Sequence, residues 1–216
     1  MFGRFFRKRI KLSYGITVCN EAVELERLLL FLSTHKDRQD EILVLQDSSD
    51  TDERVSAVLG NYQDKLTVRK EKLDGDFATF KNKLLDMASG DYLFQIDADE
   101  LPAKTLISKL KAELTRHHTY DCFAVPRVNL VTGLTQEFID KWNWKTDSEG
   151  RINFPDYQLR VFRLNRSIRW KNKVHEELTG FQQCHYLPAT NEDFCLIHIK
   201  DIVRQKKQND FYESLD

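Results

Sequence analysis

The chain has 216 residues, 41% of them hydrophobic, and a formal net charge of −1. That length and apolar share support one large domain with a packed core and exclude wholesale disorder. The near-zero charge excludes a global field that would recruit nucleic acid, so an anionic ligand has to be held by a local site.

Residues 1–12 form a basic and aromatic lead-in, with Phe2, Phe5 and Phe6 set among Arg4, Arg7, Lys8, Arg9 and Lys11. It lacks the apolar stretch of a signal peptide and reads as a solvated approach to the first strand. A weak anchor on an anionic membrane surface is the alternative. No run reaches the ~18 apolar residues of a membrane span. The four cysteines, Cys19, Cys122, Cys184 and Cys195, include no CxxC pair, which argues against a cysteine zinc site. Cys19 and Cys122 fall in apolar runs and read as buried thiols. A reducing, cytoplasmic location follows, at most against the inner face of a membrane.

Residues 14–18 are a short β-rich run ending in polar Asn20-Glu21. Leu25, Leu28, Leu29 and Leu32 then fall at i, i+3, i+4 and i+7, one face of a helix. Residues 41–46 read as a buried strand, followed by the polar turn Asp47-Ser48-Ser49-Asp50-Thr51-Asp52 and a helix over 53–59. Residues 66–69 predict a third strand. Asp76 caps a helix that puts Phe77, Phe80, Leu84, Leu85 and Ala88 on one face, with Gly90 as its stop. Residues 92–96 make a compact strand running into the tetrad Asp97-Ala98-Asp99-Glu100, and Pro102 opens a helix with Leu106, Ile107, Leu110 and Leu114 inward.

Strand and helix alternate through about residue 115, which argues an α/β fold with a mainly parallel sheet flanked by helices. Ligands of such sheets bind beyond the carboxyl ends of the strands. The polar segments at Asn20-Glu21, 47–52 and 97–100 all lie at such ends and are expected to converge. The divisions that follow are the lead-in, a first half over 13–115, a second half over 116–200 that is richer in Trp and Arg, and a tail over 201–216. The second half continues the same domain, since no linker or repeat interrupts it.

Two carboxylates one residue apart at a strand end repel unless a cation or proton sits between them. Asp97 and Asp99 therefore point to a hard divalent ion, Mn²⁺ or Mg²⁺. Such an ion can bridge two phosphates and neutralise a departing diphosphate. An acidic turn that merely caps the following helix is the bland alternative, and position after a buried strand argues against it.

Taken in order, Ile16-Thr17-Val18-Cys19-Asn20-Glu21, the 47–52 turn, Phe80-Lys81-Asn82-Lys83-Leu84 and the 90–100 segment resemble the glycosyltransferase family 2 pattern. Gln158-Leu159-Arg160-Val161-Phe162-Arg163 and Val174-His175-Glu176 are similar to the small bacterial branch that extends lipopolysaccharide cores. The resemblance covers roughly residues 13–200 and departs at Ser48-Ser49-Asp50, where the family usually has a glycine. It implies a single-domain GT-A fold and a UDP-sugar donor whose hexose passes to a hydroxyl of a glycan or glycolipid. It implies that Asp47 accepts from the nucleobase imide, that the backbone around Thr17, Cys19 and Asn20 lines the base pocket, and that Glu21 lies near the ribose. Lys81 would meet the diphosphate, Asn82 would hold the donor loop, and Ala98 would join Asp97 in donor binding. GT-A enzymes often take a third metal ligand from a late histidine, which makes His198 the candidate, with a hydrogen-bonded core histidine as the alternative.

Phosphate departure needs further positive charge, for which Arg160, Arg163, Arg169, Lys171 and Lys173 are available. Alternation places Gln158, Arg160 and Phe162 on one side of their strand and Leu159, Val161 and Arg163 on the other, and Arg160 is the arginine expected at the site. An inverting transfer needs a carboxylate base; Glu176 is the first choice and Asp156 the second. Trp142 and Trp144, with Phe138, form either an acceptor platform or ordinary core. The tail, with Lys206, Lys207 and Tyr212, reads as a solvated terminal helix in preference to a lid. A nucleotidyltransferase on a sugar phosphate is the rival enzyme class, though Cys19-Asn20-Glu21 replaces the Gly-rich loop it needs. A catalytically silent sugar-nucleotide-binding domain is the non-enzymatic reading.

Overall fold

The alternating apolar runs of the first half become strand and helix in turn: β1 (Leu12–Val18), α1 (Ala22–His35), β2 (Glu41–Asp47), α2 (Glu53–Asn61), β3 (Thr67–Glu71), α3 (Phe77–Met87) and β4 (Tyr92–Asp97). A short β5 (Glu100–Pro102) and α4 (Lys104–Arg116) follow. The second half holds β6 (Cys122–Thr132), α5 (Gln136–Lys141), β7 (Ile152–Arg163), β8 (Arg169–Lys171), β9 (Glu177–Thr179), β10 (Cys184–Tyr186), a 3-10 turn at Glu192–Phe194, β11 (Leu196–Asp201) and α6 (Ile202–Glu213). This computed structural model describes residues 9–49 and 52–213. The lead-in before Arg9, and Asp50 and Thr51 of the acidic turn, lie outside the described residues.

The main sheet runs β3-β2-β1-β4-β7-β6-β11-β5, with β10 also on β6, while β8 and β9 form a separate ribbon. The strands β3, β2, β1 and β4 are mutually parallel. The strand β7 runs antiparallel to both β4 and β6. The sheet is thus mixed and mainly parallel, with helices on both faces.

The continuous run of β2 has that composition because both its faces are covered. Ile42 and Val44 join the larger core with Leu25, Leu28, Leu29 and Leu32 of α1 and Leu106, Ile107, Leu110 and Leu114 of α4. Leu43 and Leu45 face the other way, onto Phe80 and Leu84 of α3. The four α1 leucines are wholly buried, each contributing about 2 kcal/mol of transfer free energy. Gly15 lets α3 sit close to β1, since a Cβ there would lie 2.9 Å from Leu93 Cδ1 and 3.1 Å from Leu84 Cδ2.

Two sequence-based boundaries are corrected. Ala88 caps α3, so the helix ends before Gly90. Gly90 instead crosses tightly beside β1, where a Cβ would lie 2.7 Å from Ser13 Oγ and 2.8 Å from the Lys11 carbonyl. Pro102 does not open α4; it pairs in β5 opposite Leu196 of β11, and the helix starts at Lys104 with Ala103 as its cap. Sheet pairing takes precedence there over the local preference of proline for a helix start. Among the described residues no helix is long and apolar enough to cross a membrane.

Candidate active site

The strand order reverses between β1 and β4, and a crevice opens beyond the carboxyl ends at that switch point. Thr17 of β1 and Asp97 of β4 are register partners there. The crevice is a cavity of about 620 Å³ that brings Thr17, Cys19, Glu21, Asp47, Lys81, Asp97, Ala98, Asp99, Asp156, Arg160, Glu176 and His198 together on its walls. That volume suits a ligand of drug or cofactor size. Asn20 is exposed beside the crevice, and its backbone N–H donates to Glu21.

The tetrad divides its work. Asp97 ends β4, accepts from Thr17 Oγ1 at 3.2 Å, and is paired with Arg160 at 2.5 Å. Burial pushes the Asp97 carboxyl up, but Arg160, Lys81 and Arg127 outweigh it and hold the group well below the usual carboxylate range. Ala98 is buried, and its N–H donates to the Thr17 carbonyl. Asp99 faces His198 Nε2 at 3.3 Å and Lys200 at 3.5 Å. Burial again pushes upward, and His198 and Lys200 bring Asp99 down to about 2. Glu100 turns inward and serves the turn: it accepts from the Asp97 N–H and is held by Arg160 at 2.7 Å and Arg127 at 3.0 Å.

His198 sits on β11, and its Nδ1 lies 2.9 Å from Asn129 Oδ1. Asn129 directs its amide N–H to Asp156, so Oδ1 is its acceptor and His198 Nδ1 carries the proton. Nε2 faces Asp99 Oδ2: carrying a proton it donates to that carboxylate, and without one its lone pair can join Asp99 on a cation. Asp99 and His198 stand side by side, but the Asp97 oxygens are turned to Thr17 and Arg160, so among the described residues the three expected ligands are not gathered within 4.8 Å of one another. Two carboxylates and one imidazole are a donor chemistry that fits Mn²⁺ and, less closely, Mg²⁺, once Asp97 turns from Arg160.

On the opposite wall Asp47 Oδ1 accepts from the N–H groups of Ser49 and Leu73 at 2.8 and 3.1 Å. These two bonds orient the carboxylate at the end of β2. Glu21 accepts from the Cys19 N–H at 2.8 Å and pairs with Arg204 at 2.8 Å. Lys81 pairs with Glu176 and lies 4.7 Å over the Trp170 ring. Asn82 brackets the Trp170 backbone, donating to its carbonyl and accepting its N–H. That bracket ties the β8–β9 ribbon, and with it Glu176, to α3.

Arg160 reaches the crevice through a device that strict alternation misses. Phe123 pairs with Val161, but the next β6 residue, Ala124, pairs with Leu159, leaving Arg160 as the extra residue of a β-bulge. Bulges re-aim side chains next to sites. In consequence Leu159 and Phe162 share one core cluster while Val161 joins the other, which corrects the expected split of this strand. Arg163 bonds the His118 carbonyl and lies 4.9 Å over Tyr92, away from the crevice. Arg169 bonds the Asn165 and Ile168 carbonyls, and Lys171 and Lys173 are exposed. Asp156 accepts from Arg127, Asn129 and Gln158; burial pushes it up, yet Arg127 and Asn129 hold it below its ordinary value.

Other expectations change. Cys19 is half-buried on the crevice wall, while Cys122 is buried as read. Trp142 and Trp144 are half-buried and outside the core clusters; Phe138 stacks on Trp142 at 5.0 Å, and Trp144 borders the crevice. The tail is helical, but α6 is docked: Arg204 reaches Glu21, Glu24 and Asp99, and Gln205 and Asn209 line the crevice. Lys206 lies 4.2 Å over Phe138, and the Tyr212 side chain lies outside the described residues. Arg127, Asn129, Lys200 and Arg204 were not singled out from sequence. A charge such as Arg127 within an otherwise buried strand demands a partner and was the available signal.

The glycosyl transferase family 2 profile matches residues 13–181. The SPbeta prophage-derived glycosyltransferase SunS of Bacillus subtilis (strain 168) is 30% identical over 176 residues, 81% of this chain and 36% of SunS. The chain thus spans about a third of that relative's length. Among solved structures, S. aureus TarS 1-349 in complex with UDP-GlcNAc superposes with a TM-score of 0.60 at 17% identity, covering 88% of this chain and 59% of TarS 1-349. Mannosyltransferase PcManGT from Pyrobaculum calidifontis, in complex with GDP-Man and Mn2+, gives 0.59 at 20% identity over 89% of this chain and 57% of its own. These two likenesses carry the GT-A fold. On the profile match and the SunS similarity, the chain belongs to glycosyltransferase family 2.

Proposed function

We propose that the chain is a metal-dependent, inverting hexosyltransferase that moves a sugar from a UDP-sugar to a hydroxyl of a glycan or glycolipid. The observation that carries this reading is the single crevice joining Asp47 and Glu21 at one wall to Asp97, Asp99 and His198 at the other. That span suits a nucleoside diphosphate sugar lying from base to diphosphate. The nucleotide-sugars held by TarS and PcManGT support the donor class.

Asp47, with Oδ1 committed to backbone N–H groups, offers its second oxygen to the nucleobase imide. Thr17, Cys19 and Asn20 border the base, Glu21 the ribose. Asp97, Asp99 and His198 would hold Mn²⁺ or Mg²⁺, which when bound supplies charge neutralisation for the departing diphosphate. Lys81 adds a cation at the same place: as it turns to the donor it releases Glu176. Arg160 holds Asp97 and Glu100 in position. Glu176 then takes the proton of the acceptor hydroxyl as that oxygen attacks the anomeric carbon. Asp156 is the weaker base candidate, because Arg127, Asn129 and Gln158 already occupy its carboxylate. Trp144, half-buried at the crevice, offers a ring for stacking an acceptor sugar, with Trp142 packed behind it.

The test is release of nucleoside diphosphate and formation of product from UDP- and GDP-sugars with Mn²⁺, with Mg²⁺ and with EDTA. Asp97→Ala and Asp99→Ala are expected to lower turnover by about 10²–10³-fold, the scale of losing one charge-stabilising group. Full turnover in both variants, or in EDTA, would sink the reading.

A further inference from the structure

Away from the crevice, the last turns of α4 meet β10 in a cluster that sugar transfer does not use. Glu113 and His117 stand one helical turn apart, and His185 projects from β10 against them. One ligand atom from each of the three lies within 4.8 Å of the other two. None of the three lines the crevice. We propose that Glu113, His117 and His185 form a second metal site, for Zn²⁺ or a similar imidazole-seeking ion, that clips the end of α4 to β10.

The spacing of Glu113 and His117 suits coordination better than hydrogen bonding. His117 Nε2 lies 3.6 Å from Glu113 Oε2, beyond hydrogen-bond range. Two ligand atoms about 2.0–2.1 Å from a tetrahedral ion stand about 3.4 Å apart, close to the observed gap. The imidazoles of His117 and His185 stack with centroids 3.7 Å apart and an interplanar angle of 19°. In that stack the in-plane lone pairs run side by side, so a shared ion requires one ring to turn about its Cβ–Cγ bond until both lone pairs meet it.

The surroundings are built. Glu113 is 8% exposed, and Arg116 holds its other oxygen, Oε1, at 2.7 Å. That bond orients Oε2 as an outer partner orients a ligand. The approach to β10 is anchored by the Asp121 carboxylate, which accepts from the N–H groups of Gln182 and Gln183. Tyr120 and Phe123 pack edge-on against His185 and set its ring plane. Two imidazoles and a carboxylate select Zn²⁺ over Mg²⁺ or Ca²⁺ and leave a fourth position for water.

Zn²⁺ binding to the whole chain is to be measured by calorimetry, with Co²⁺ absorption reporting tetrahedral histidine ligation. The comparison set is the native chain, His117→Asn, His185→Asn, Glu113→Gln and Asp99→Asn, each checked by circular dichroism. One Zn²⁺ site is expected to persist in Asp99→Asn. It should weaken more than about tenfold in each of the three cluster variants. Glu113→Gln and His117→Asn leave β10 untouched, so they decide the matter if His185→Asn does not fold. Zn²⁺ affinity and stoichiometry unchanged in those two variants, or loss of all Zn²⁺ binding in Asp99→Asn alone, overturns the proposal.

Discussion

Glu176 and Asp156 border one crevice with different partners, and their roles separate on that basis. Glu176 is held by a single lysine, Lys81, while Asp156 is fastened by an arginine and two amides. Glu176→Gln is expected to lower kcat by about 10²–10⁴-fold with donor binding retained, the range for loss of a general base. Asp156→Asn should act through Arg127 and Asn129, raising KM more than it lowers kcat. The reverse pattern in steady-state transfer kinetics would exchange the assignments. A second residue-scale effect concerns stability. Burial pushes the Glu41 carboxyl up, but bonds from Ser13, Ser89 and Lys11 bring it from 4.5 to about 2. A pKa depressed in the fold contributes stability above about 4.5, and that contribution is lost as pH falls toward about 2. The side chain is 24% exposed, and the contribution is on the order of 2–3 kcal/mol at neutral pH. Urea unfolding of Glu41→Gln should show lower stability at pH 7 and a shallower decline between pH 5 and pH 2. Parallel decline in the two proteins would refute it.

At the scale of elements, the crevice depends on pieces whose position is set by partners remote in sequence. The β8–β9 ribbon brings Glu176 and Trp170 to the site because Asn82 on α3 brackets Trp170 and because Trp170 Nε1 donates to Gln95 at 3.0 Å. The helix α6 lies along the crevice because Arg204 spans Glu21 and Glu24 of the first half and approaches Asp99. Arg204→Ala removes that tie. Donor KM should rise about five- to thirtyfold, equivalent to 1–2 kcal/mol, with a smaller change in kcat. An unchanged KM in donor titrations would mean that α6 does not help hold the donor. These elements carry weak local signals: β8 and β9 are three residues each, too short for alternation to be read, and α6 lacks a strong apolar stripe.

For the whole molecule, the strand order β3-β2-β1-β4 and its switch point put three polar strand ends at one crevice. Binding of a nucleotide-sugar to the folded state alone raises the melting temperature by mass action. A UDP-sugar with Mn²⁺ should therefore stabilise the chain more than with EDTA, and equal shifts would remove the metal from donor binding. The strands β1 to β4, the helices α1 to α4 and the acidic tetrad were legible because periodicity and strand-end polarity are local properties. The bulge at Arg160 was not, because it is defined by which β6 residue each β7 residue meets. Nor were the links from Arg127 to Glu100 and Asp156, or from Arg204 to Glu21, since charge pairing across scores of residues leaves no spacing to read. By itself the sequence determined the α/β plan, the family resemblance and the carboxylates most exposed to chemistry. The tertiary structure alone decided which cations neutralise them and that the tail helix docks, because electrostatic pairing depends on distance in space while periodicity depends only on distance along the chain.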